Sequence, residues 1–223
     1  MRADATPPTV SVITVVFNDR AGLAATLENV RRQSYPQLEY VVVDGASTDG
    51  TRELIEEELQ RPDARIDRWL SEPDNGLYDA MNKGLRLATG DFVIFMNAAD
   101  LFYDDDTLQR AMADYAGEDV IYGDSMLVDE AYNELGLRRH KALPRRLTKF
   151  SMRLGMVVCH QSLLVRRSLA PSYRTEHPHS ADIDWTIRVL AQTQAVRNTG
   201  LILSKFQVGG HSTKHRKASW LDR

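Results

Sequence analysis

Residues 9–17 read TVSVITVVF, a run of mostly β-branched side chains that carries no charge. Such a run is typical of a strand buried on both faces, as in the middle of a parallel sheet. Asn18 and Asp19 follow and can cap a helix over residues 21–33, which the Tyr-Pro pair at 35–36 ends. The start of the chain therefore predicts a strand followed by a helix, the repeating unit of α/β domains.

The same alternation continues through the first half of the chain. Further strands are predicted over 39–43, 65–70 and 91–96, and further helices over 50–59, 77–88 and 105–115. This order predicts an α/β fold with a mostly parallel central sheet and helices on both faces. The second half is less regular, with strands expected over 119–122, 125–128, 156–165 and 201–208 and helices over 145–154 and 181–191. No linker separates the halves, so residues 1–223 are expected to form a single domain.

Composition excludes several classes of protein. The length of 223 residues suits one large domain, and the formal net charge of −3 argues against a nucleic-acid partner. One cysteine, Cys159, cannot form an intramolecular disulfide, which fits a cytoplasmic protein. No apolar run approaches the ~20 residues of a membrane-spanning helix. No G-x-G-x-x-G follows a strand, which argues against a Rossmann oxidoreductase.

Two aspartates stand where predicted parallel strands end. Asp44 follows the second strand and Asp100 closes the segment after the fourth. Open α/β sheets bind ligands at the carboxyl ends of their strands. Asp44 could accept hydrogen bonds from a base or ribose, and Asp100 could hold Mg²⁺ or Mn²⁺ together with substrate phosphates. A lone Asp-Gly is more often a simple turn, but two such acids on one sheet favour a ligand site.

Several sequence motifs occur in the same order as in a known protein family. The stretches VSVITVVFN, VVVDGASTDGT and SEPDNGLYDAMNKGLRLATGDFVIFMNAAD are followed by CHQS, ADIDW and GGHST. Together they resemble family 2 glycosyltransferases of the GT-A (Rossmann-like) fold, and in particular small bacterial enzymes of exopolysaccharide assembly, of the colanic-acid type. The resemblance implies a nucleotide-sugar-binding half over 9–100 and an acceptor-binding half over 101–223.

The resemblance also implies roles for matching positions. Asp44 would bind the nucleotide base, and Phe17 and Asn18 would line the same pocket. The remaining nucleotide-sugar candidates, near the ribose and diphosphate or in the metal motif, are Asp79, Asn82, Lys83 and Asn97. The family's metal motif usually carries two or more acids, whereas here it reads Asn-Ala-Ala-Asp and keeps only Asp100. A C-terminal histidine, His211, is a second candidate metal ligand.

Transfer of a sugar from a nucleoside diphosphate to a hydroxyl requires a base for the acceptor proton. Asp182 in ADIDW is the first candidate and Asp184 is its rival, because residues two apart on a helix point to different sides. Both could instead cap that helix. His160 and Gln161 resemble a pair that lines the acceptor site, although a strand-end histidine with a structural role fits equally well. One direct displacement would invert the anomeric configuration.

The segment 138–153 contains eight basic side chains and no acid. A charged run is usually a solvated face, but Lys and Arg also attract anionic lipid, at about 1 kcal/mol each. We therefore expect a UDP- or GDP-sugar donor, a glycan or lipid-linked acceptor, and peripheral contact of this segment with the inner face of the membrane.

Two other functions compete with the transferase. A nucleotidyltransferase would carry a Gly-rich basic loop after its first strand, whereas VVFNDRAGL has one glycine and one arginine. A non-catalytic sugar-nucleotide-binding or scaffold protein of the same fold remains the main alternative, because the metal motif is reduced.

Overall fold

The structure is a computed structural model that describes residues 7–138, 143–176 and 180–208. Its first half is a parallel α/β unit with the order β3-β2-β1-β4. The elements are β1 (Val10–Val16), α1 (Arg20–Arg31), β2 (Leu38–Asp44), α2 (Thr51–Leu59), β3 (Arg68–Ser71), α3 (Leu77–Leu87) and β4 (Phe92–Phe95). The all-buried β1 lies between β2 and β4, as its uncharged sequence predicts.

The second half extends the same sheet with mixed pairing. Its elements are β5 (Leu101–Phe102), α4 (Thr107–Ala113), β6 (Val120–Val128), β7 (Glu134–Leu137), β8 (Leu163–Arg166), α5 (Ala181–Gln192) and β9 (Val196–Gln207). From β4 the order continues β8-β6-β9-β5, and β7 pairs with β6. The last strand of the described residues is therefore internal, because β9 is parallel to β6 on one side and antiparallel to β5 on the other.

Both faces of the sheet are covered by helices, as predicted. Side chains of α1, α2 and α4 pack with Val10, Val12 and Val16 of β1 in one apolar cluster. Side chains of α3 and α5 pack with Ile13 and Val15 in a second cluster on the other face. Alternation along a strand divides the core in this way, and the α/β GT-A-like fold class is confirmed.

Several boundaries in the second half were predicted wrongly. The strand expected over 156–165 is only β8, because a 3₁₀ turn over His160–Ser162 precedes it, closed by the Ser162 amide on the Cys159 carbonyl at 2.9 Å. The helix expected over 145–154 is a 3₁₀ helix over Lys149–Leu154 that begins at a Thr148–Ser151 capping box. The two strands expected over 119–128 form the single strand β6.

Candidate functional site

A cleft of about 900 Å³ opens where β1 and β4 end. Its walls include Asn18 and the start of α1, the loop before α3, and the segment 97–100 after β4. Asn18 adopts a left-handed backbone (φ 48°), and its side chain accepts a hydrogen bond from the Thr48 amide at 2.8 Å. Its own amide donates to Ser47 Oγ, also at 2.8 Å. These bonds tie the loops after β1 and β2 together at the rim.

Asp100 lies in this cleft and is nearly fully buried, with 6% of its surface exposed. Gln161 Nε2 donates to its Oδ2 at 2.7 Å. Burial raises the pKa of the Asp100 carboxyl to about 7, although the Gln161 side chain and the Gln207 main chain donate hydrogen bonds that act against this. The cause is desolvation of the charged form, which two donors do not offset.

A second buried carboxylate, Glu39 in β2, provides a contrast. It accepts hydrogen bonds from Ser11, Arg68, Gly90 and both the amide and the hydroxyl of Thr89. Burial alone would raise the pKa of Glu39, but the side chains of Ser11, Thr89 and Arg68 and the Thr89 amide lower it to about 2. A saturated carboxylate is structural, whereas the under-satisfied Asp100 retains the capacity to bind a ligand.

The described wall of the cleft is acidic. Asp19, Asp74, Asp100 and Glu130 contribute to it, and no lysine or arginine does within the described part of the chain. Asp19 also caps α1, accepting from the Gly22 amide at 2.9 Å, and Asp74 accepts from the Gly76 amide at 2.8 Å. A diphosphate placed here would require a cation to offset like charge.

The residues present fit a divalent cation only together with substrate oxygens. Among the described residues, no three His, Cys, Asp or Glu side chains cluster as a metal site. Beside Asp100, the side-chain oxygen of Asn97 is buried and has no hydrogen-bond partner. One carboxylate, an amide oxygen and phosphate oxygens are a donor set that Mg²⁺ and Mn²⁺ accept. His211 lies outside the described residues.

Asp44 lies where the sequence predicted, at the end of β2, but its side chain is fully buried. Its Oδ2 accepts from Ser71 Oγ at 2.6 Å, and both of its oxygens accept from the Ser47 amide at 3.2 Å. It is not part of the cleft wall. In this structure Asp44 braces the loop after β2, and its role as a base-binding residue stays a prediction.

The three candidates on α3 hold neighbouring segments. Lys83 Nζ donates to the Pro73 carbonyl at 2.7 Å and pairs with Glu72 at 2.9 Å. Asp79 accepts from the Asn75 amide at 3.0 Å. Asn82 exchanges two hydrogen bonds with the main chain of Tyr173, at 3.0 and 2.7 Å. None of these three side chains contributes to the cleft wall, so their contact with ribose or diphosphate stays a prediction.

His160 and Gln161 face different surroundings. His160 is buried among Phe95, Tyr173 and Trp185, and its Nε2 lies 2.7 Å from the Tyr173 hydroxyl. Burial lowers the pKa of His160 to about 4, so the ring is neutral at pH 7. These contacts are those of a core histidine. Gln161 belongs to the cleft wall, where it contacts Asp100 rather than open surface.

The two candidate bases on α5 also differ. Asp182 Oδ1 accepts from the Tyr78 hydroxyl at 3.3 Å and from the Ile183 amide at 2.9 Å. Burial raises the pKa of Asp182 above its ordinary value, although Arg138 acts in the opposite direction. Asp184 forms ion pairs with Arg188 at 2.8 Å and Arg174 at 3.5 Å. Asp182 has the environment of a proton acceptor, whereas Asp184 is held in a surface ion-pair network.

Sequence analysis missed part of the cleft wall. Glu130 and Tyr132, in the turn between β6 and β7, contribute to the wall, as do residues 206–208 at the end of β9. Tyr132 has a left-handed backbone (φ 62°), a state unusual for a residue with a large side chain. The sequence contains little indication of a hairpin here, because the residues from Val128-Asp129 to Asn133-Glu134 include no pair such as Asn-Gly that favours a tight turn.

The basic segment 138–153 is partly described. Leu147 and Met152 are buried in the core, so they cannot form the apolar face of a membrane helix. Phe150 is 66% exposed, and Lys149 Nζ lies 5.4 Å from its ring centre. The neighbouring exposed cations are Arg145, Arg146 and Arg153. Among the described residues, no helix is long and apolar enough to cross a membrane.

The comparisons with known proteins agree with this architecture. The profile of the family described as "Glycosyl transferase family 2" matches residues 11–173. An uncharacterized glycosyltransferase of Mycobacterium tuberculosis H37Rv, Rv1514c, is 33% identical over 95% of this chain and 79% of its own. A PGL/p-HBAD biosynthesis glycosyltransferase of Mycobacterium bovis BCG is 33% identical over 85% of this chain and 72% of its own.

Solved structures share the fold. Staphylococcus aureus TarS 1–349 in complex with UDP superposes with a TM-score of 0.72 at 20% identity, over 90% of this chain and 60% of TarS. The mannosyltransferase PcManGT of Pyrobaculum calidifontis, in complex with GDP-Man and Mn²⁺, superposes with a TM-score of 0.69 at 21% identity, over 96% of this chain and 61% of PcManGT. The chain thus spans about 60% of the length of these structures.

The strand order, the cleft at the strand ends and the matched profile define one class of protein. The chain belongs to glycosyl transferase family 2 and is a glycosyltransferase.

Proposed function

We propose that this enzyme transfers a sugar from a nucleoside-diphosphate sugar to a hydroxyl of a glycan or lipid-linked acceptor, in bacterial polysaccharide synthesis. The observation that carries the proposal is the buried carboxylate of Asp100, which lies in the acidic cleft after β4 and, among the described residues, accepts hydrogen bonds only from Gln161 and the Gln207 main chain. TarS with UDP and PcManGT with GDP-Man and Mn²⁺ support a UDP- or GDP-linked donor.

Divalent metal dependence follows from the charge of the cleft wall. Asp100 and the unpartnered oxygen of Asn97 would hold Mg²⁺ or Mn²⁺, which would offset the charge of the leaving diphosphate. The first turn of α1 lies in the wall at Ala21 and Gly22, but the Asp19 carboxylate already accepts from the Gly22 amide, so the positive end of this helix is not free to bind phosphate and the cation has to offset its charge. Exposed Phe17 at the rim offers a face for the nucleotide base.

The acceptor proton requires a base, and the contacts favour Asp182 over Asp184. Asp182 accepts two hydrogen bonds in a desolvated place, and its raised pKa makes it a stronger proton acceptor than an exposed aspartate. Asp182 is not among the residues that line the cleft wall, so the proposal requires the acceptor to extend from the donor site to Asp182. Direct attack by that acceptor on the anomeric carbon, opposite the leaving diphosphate, would invert the configuration.

The donor site is tested by thermal unfolding with UDP- and GDP-sugars, with and without Mn²⁺. A ligand at 100 times its Kd should stabilise the protein by about 2.7 kcal/mol. We expect one nucleotide class to stabilise the wild type only when Mn²⁺ is present, and Asp100→Asn to lose that effect. Asp114→Asn, at the exposed end of α4, is the matched control and should respond like the wild type.

Absence of any shift with both nucleotide classes would contradict the proposed donor site. Nucleotide binding that is retained while transfer to every glycan acceptor is absent would favour a sugar-nucleotide-binding scaffold instead.

We also propose peripheral contact between the membrane and the exposed residues around Phe150, because Lys149 lies against this exposed ring and three further exposed arginines are close to it in the sequence. The wild type should co-sediment with anionic phosphatidylglycerol vesicles at low salt and not with neutral phosphatidylcholine vesicles. Phe150→Ser combined with Arg146→Ser should reduce binding. Equal sedimentation of this variant would contradict the proposal.

A further inference from the structure

A chain of buried hydrogen bonds leads from Asp100 into the second half of the protein. Gln161 Nε2 donates to Asp100 Oδ2 at 2.7 Å. The other end of the same amide, Gln161 Oε1, accepts from the Cys159 thiol at 2.9 Å. Gln161 thus contacts Asp100 directly, and Cys159 lies behind it in the chain of hydrogen bonds.

The donors in this chain fix the orientation of the glutamine. An amide has one acceptor end and one donor end, and an ionised carboxylate can only accept, so the NH₂ end of Gln161 is the end that faces Asp100. The acceptor end, Oε1, then faces the Cys159 thiol, which donates to it and holds the amide in this orientation. The thiol is buried and stays protonated, so it remains a donor at neutral pH.

The base of the chain is rigid. The hydroxyl oxygens of Ser125, Ser162 and Ser204 lie in a ring with separations of 2.8, 2.8 and 3.0 Å, and Ser162 Oγ also donates to the Asp124 carbonyl at 2.8 Å. All three are buried and lie on or beside β6, β8 and β9. Ser162 also follows Gln161 directly in the 3₁₀ turn. The ring therefore holds the backbone that carries Cys159 and Gln161 against three strands.

We propose that Gln161 and Cys159 are positioning residues that orient the carboxylate of Asp100 for a divalent cation, so that Gln161 serves the donor site rather than the acceptor. The inference rests on the proposed function, in which Asp100 binds that cation. Gln161 occupies one acceptor site on Oδ2 and the Gln207 main chain occupies another site of the carboxylate, which leaves the other lone pairs available to a cation. A carboxylate fixed in this way loses less rotational freedom when a metal binds.

The test measures Mn²⁺ binding directly, by electron paramagnetic resonance of free Mn²⁺, with UDP or GDP present at saturation. Partners that orient a ligating carboxylate typically contribute about 10- to 100-fold to metal affinity. We expect Gln161→Met, which keeps the length of the side chain but has no donor, to weaken Mn²⁺ binding by about that factor. Asp100→Asn should abolish binding in the same assay.

Two substitutions at Cys159 distinguish a positioning role from a packing role. Cys159→Ala removes the donor to Gln161 Oε1 and should weaken Mn²⁺ binding, whereas Cys159→Ser restores a donor and should recover most of the affinity. A purely structural role would not give this rescue, because both variants reduce the volume of the side chain.

Gln33→Met is the matched control. Gln33 is 2% exposed and also uses both ends of its amide, donating to the Asp104 carbonyl at 2.8 Å and accepting from the Leu108 amide at 3.3 Å. It is not part of the cleft, so its variant should lose stability but bind Mn²⁺ like the wild type.

The possible outcomes separate the inference from the proposed function. If Asp100→Asn abolishes Mn²⁺ binding while folded Gln161→Met and Cys159→Ala stay within twofold of the wild type, the positioning role is overturned and the donor site stands. If Asp100→Asn binds Mn²⁺ like the wild type, the metal site fails and the inference fails with it.

Discussion

The hydroxyl of Tyr132 lies 3.3 Å from the main-chain carbonyl oxygen of Ala99, and both residues adopt left-handed backbone conformations, with φ of 62° and 71°. One lies in the turn after β6, and the other directly precedes Asp100. Non-glycine residues in this region cost of the order of 1 kcal/mol or more and tend to occur at functional sites. The cleft therefore stores backbone strain beside its central carboxylate.

Ala99→Gly should relieve part of that strain. Glycine adopts positive φ without steric cost, although its unfolded state is more flexible. We expect the free energy of unfolding in urea to rise by about 0.5 kcal/mol. Ala24→Gly, at an exposed position in the interior of α1, should instead lower it by up to ~1 kcal/mol. A loss of stability in both variants would show that the backbone at Ala99 is not strained.

Phe17→Ser should affect nucleotide binding without affecting folding. The Phe17 side chain is 65% exposed at the rim, so its removal should change the free energy of unfolding by less than ~0.5 kcal/mol. Loss of stacking on a base should raise the Kd for UDP or GDP about 5- to 100-fold, measured by calorimetry. Phe150→Ser removes an equally exposed ring outside the cleft and should leave that Kd unchanged. Equal effects in the two variants would contradict a base site at Phe17.

Asp182→Asn and Asp184→Asn should separate the two candidate bases. Loss of a general base typically lowers kcat by about 10²- to 10⁴-fold, which we expect for Asp182 with little change in the donor KM. Asp184→Asn breaks ion pairs with Arg188 and Arg174 at a partly exposed site, which should cost less than ~1 kcal/mol of stability. Steady-state kinetics on both variants decide the assignment, and a larger loss of kcat in Asp184→Asn would reverse it.

His160 should make folding sensitive to mild acid. Because burial lowers its pKa to about 4 from 6.5, the unfolded chain binds a proton between these values that the native protein does not. The free energy of unfolding should therefore fall as the pH is lowered from 6.5 towards 4. His160→Gln should lower the free energy of unfolding by a constant amount through lost packing, but it should remove this part of the pH dependence. Parallel stability curves for the two proteins across that window would contradict the assignment.

The strands and helices of the first half could be predicted because each is a local pattern. The uncharged run of β1 and the capping side chain of Asp19 are visible in a few consecutive residues. The first half also carries the ordered motifs, so the family and the position of Asp100 follow from the sequence. The cleft forms where these motifs place it, at the ends of β1 and β4.

The contacts of individual side chains could not be predicted, because they depend on partners far along the chain. Gln161 meets Asp100 across 61 positions, and Asn82 meets Tyr173 across 91. The sequence places Lys83 on a helix but does not reveal that Glu72 pairs with it. Residue type predicted which groups could act chemically, whereas tertiary packing determined which of them are already engaged.

The internal position of β9 has a consequence for how the protein is made. This strand is the last within the described residues, yet it fills the gap between β6 and β5 and carries Phe206 and Gln207 to the cleft wall. During synthesis, β6 and β5 cannot pair with β9 until about residue 207 has left the ribosome. The cleft wall is thus completed only after β9 has been synthesised, and a chain stopped before β9 would expose an edge of β6 that is prone to aggregation.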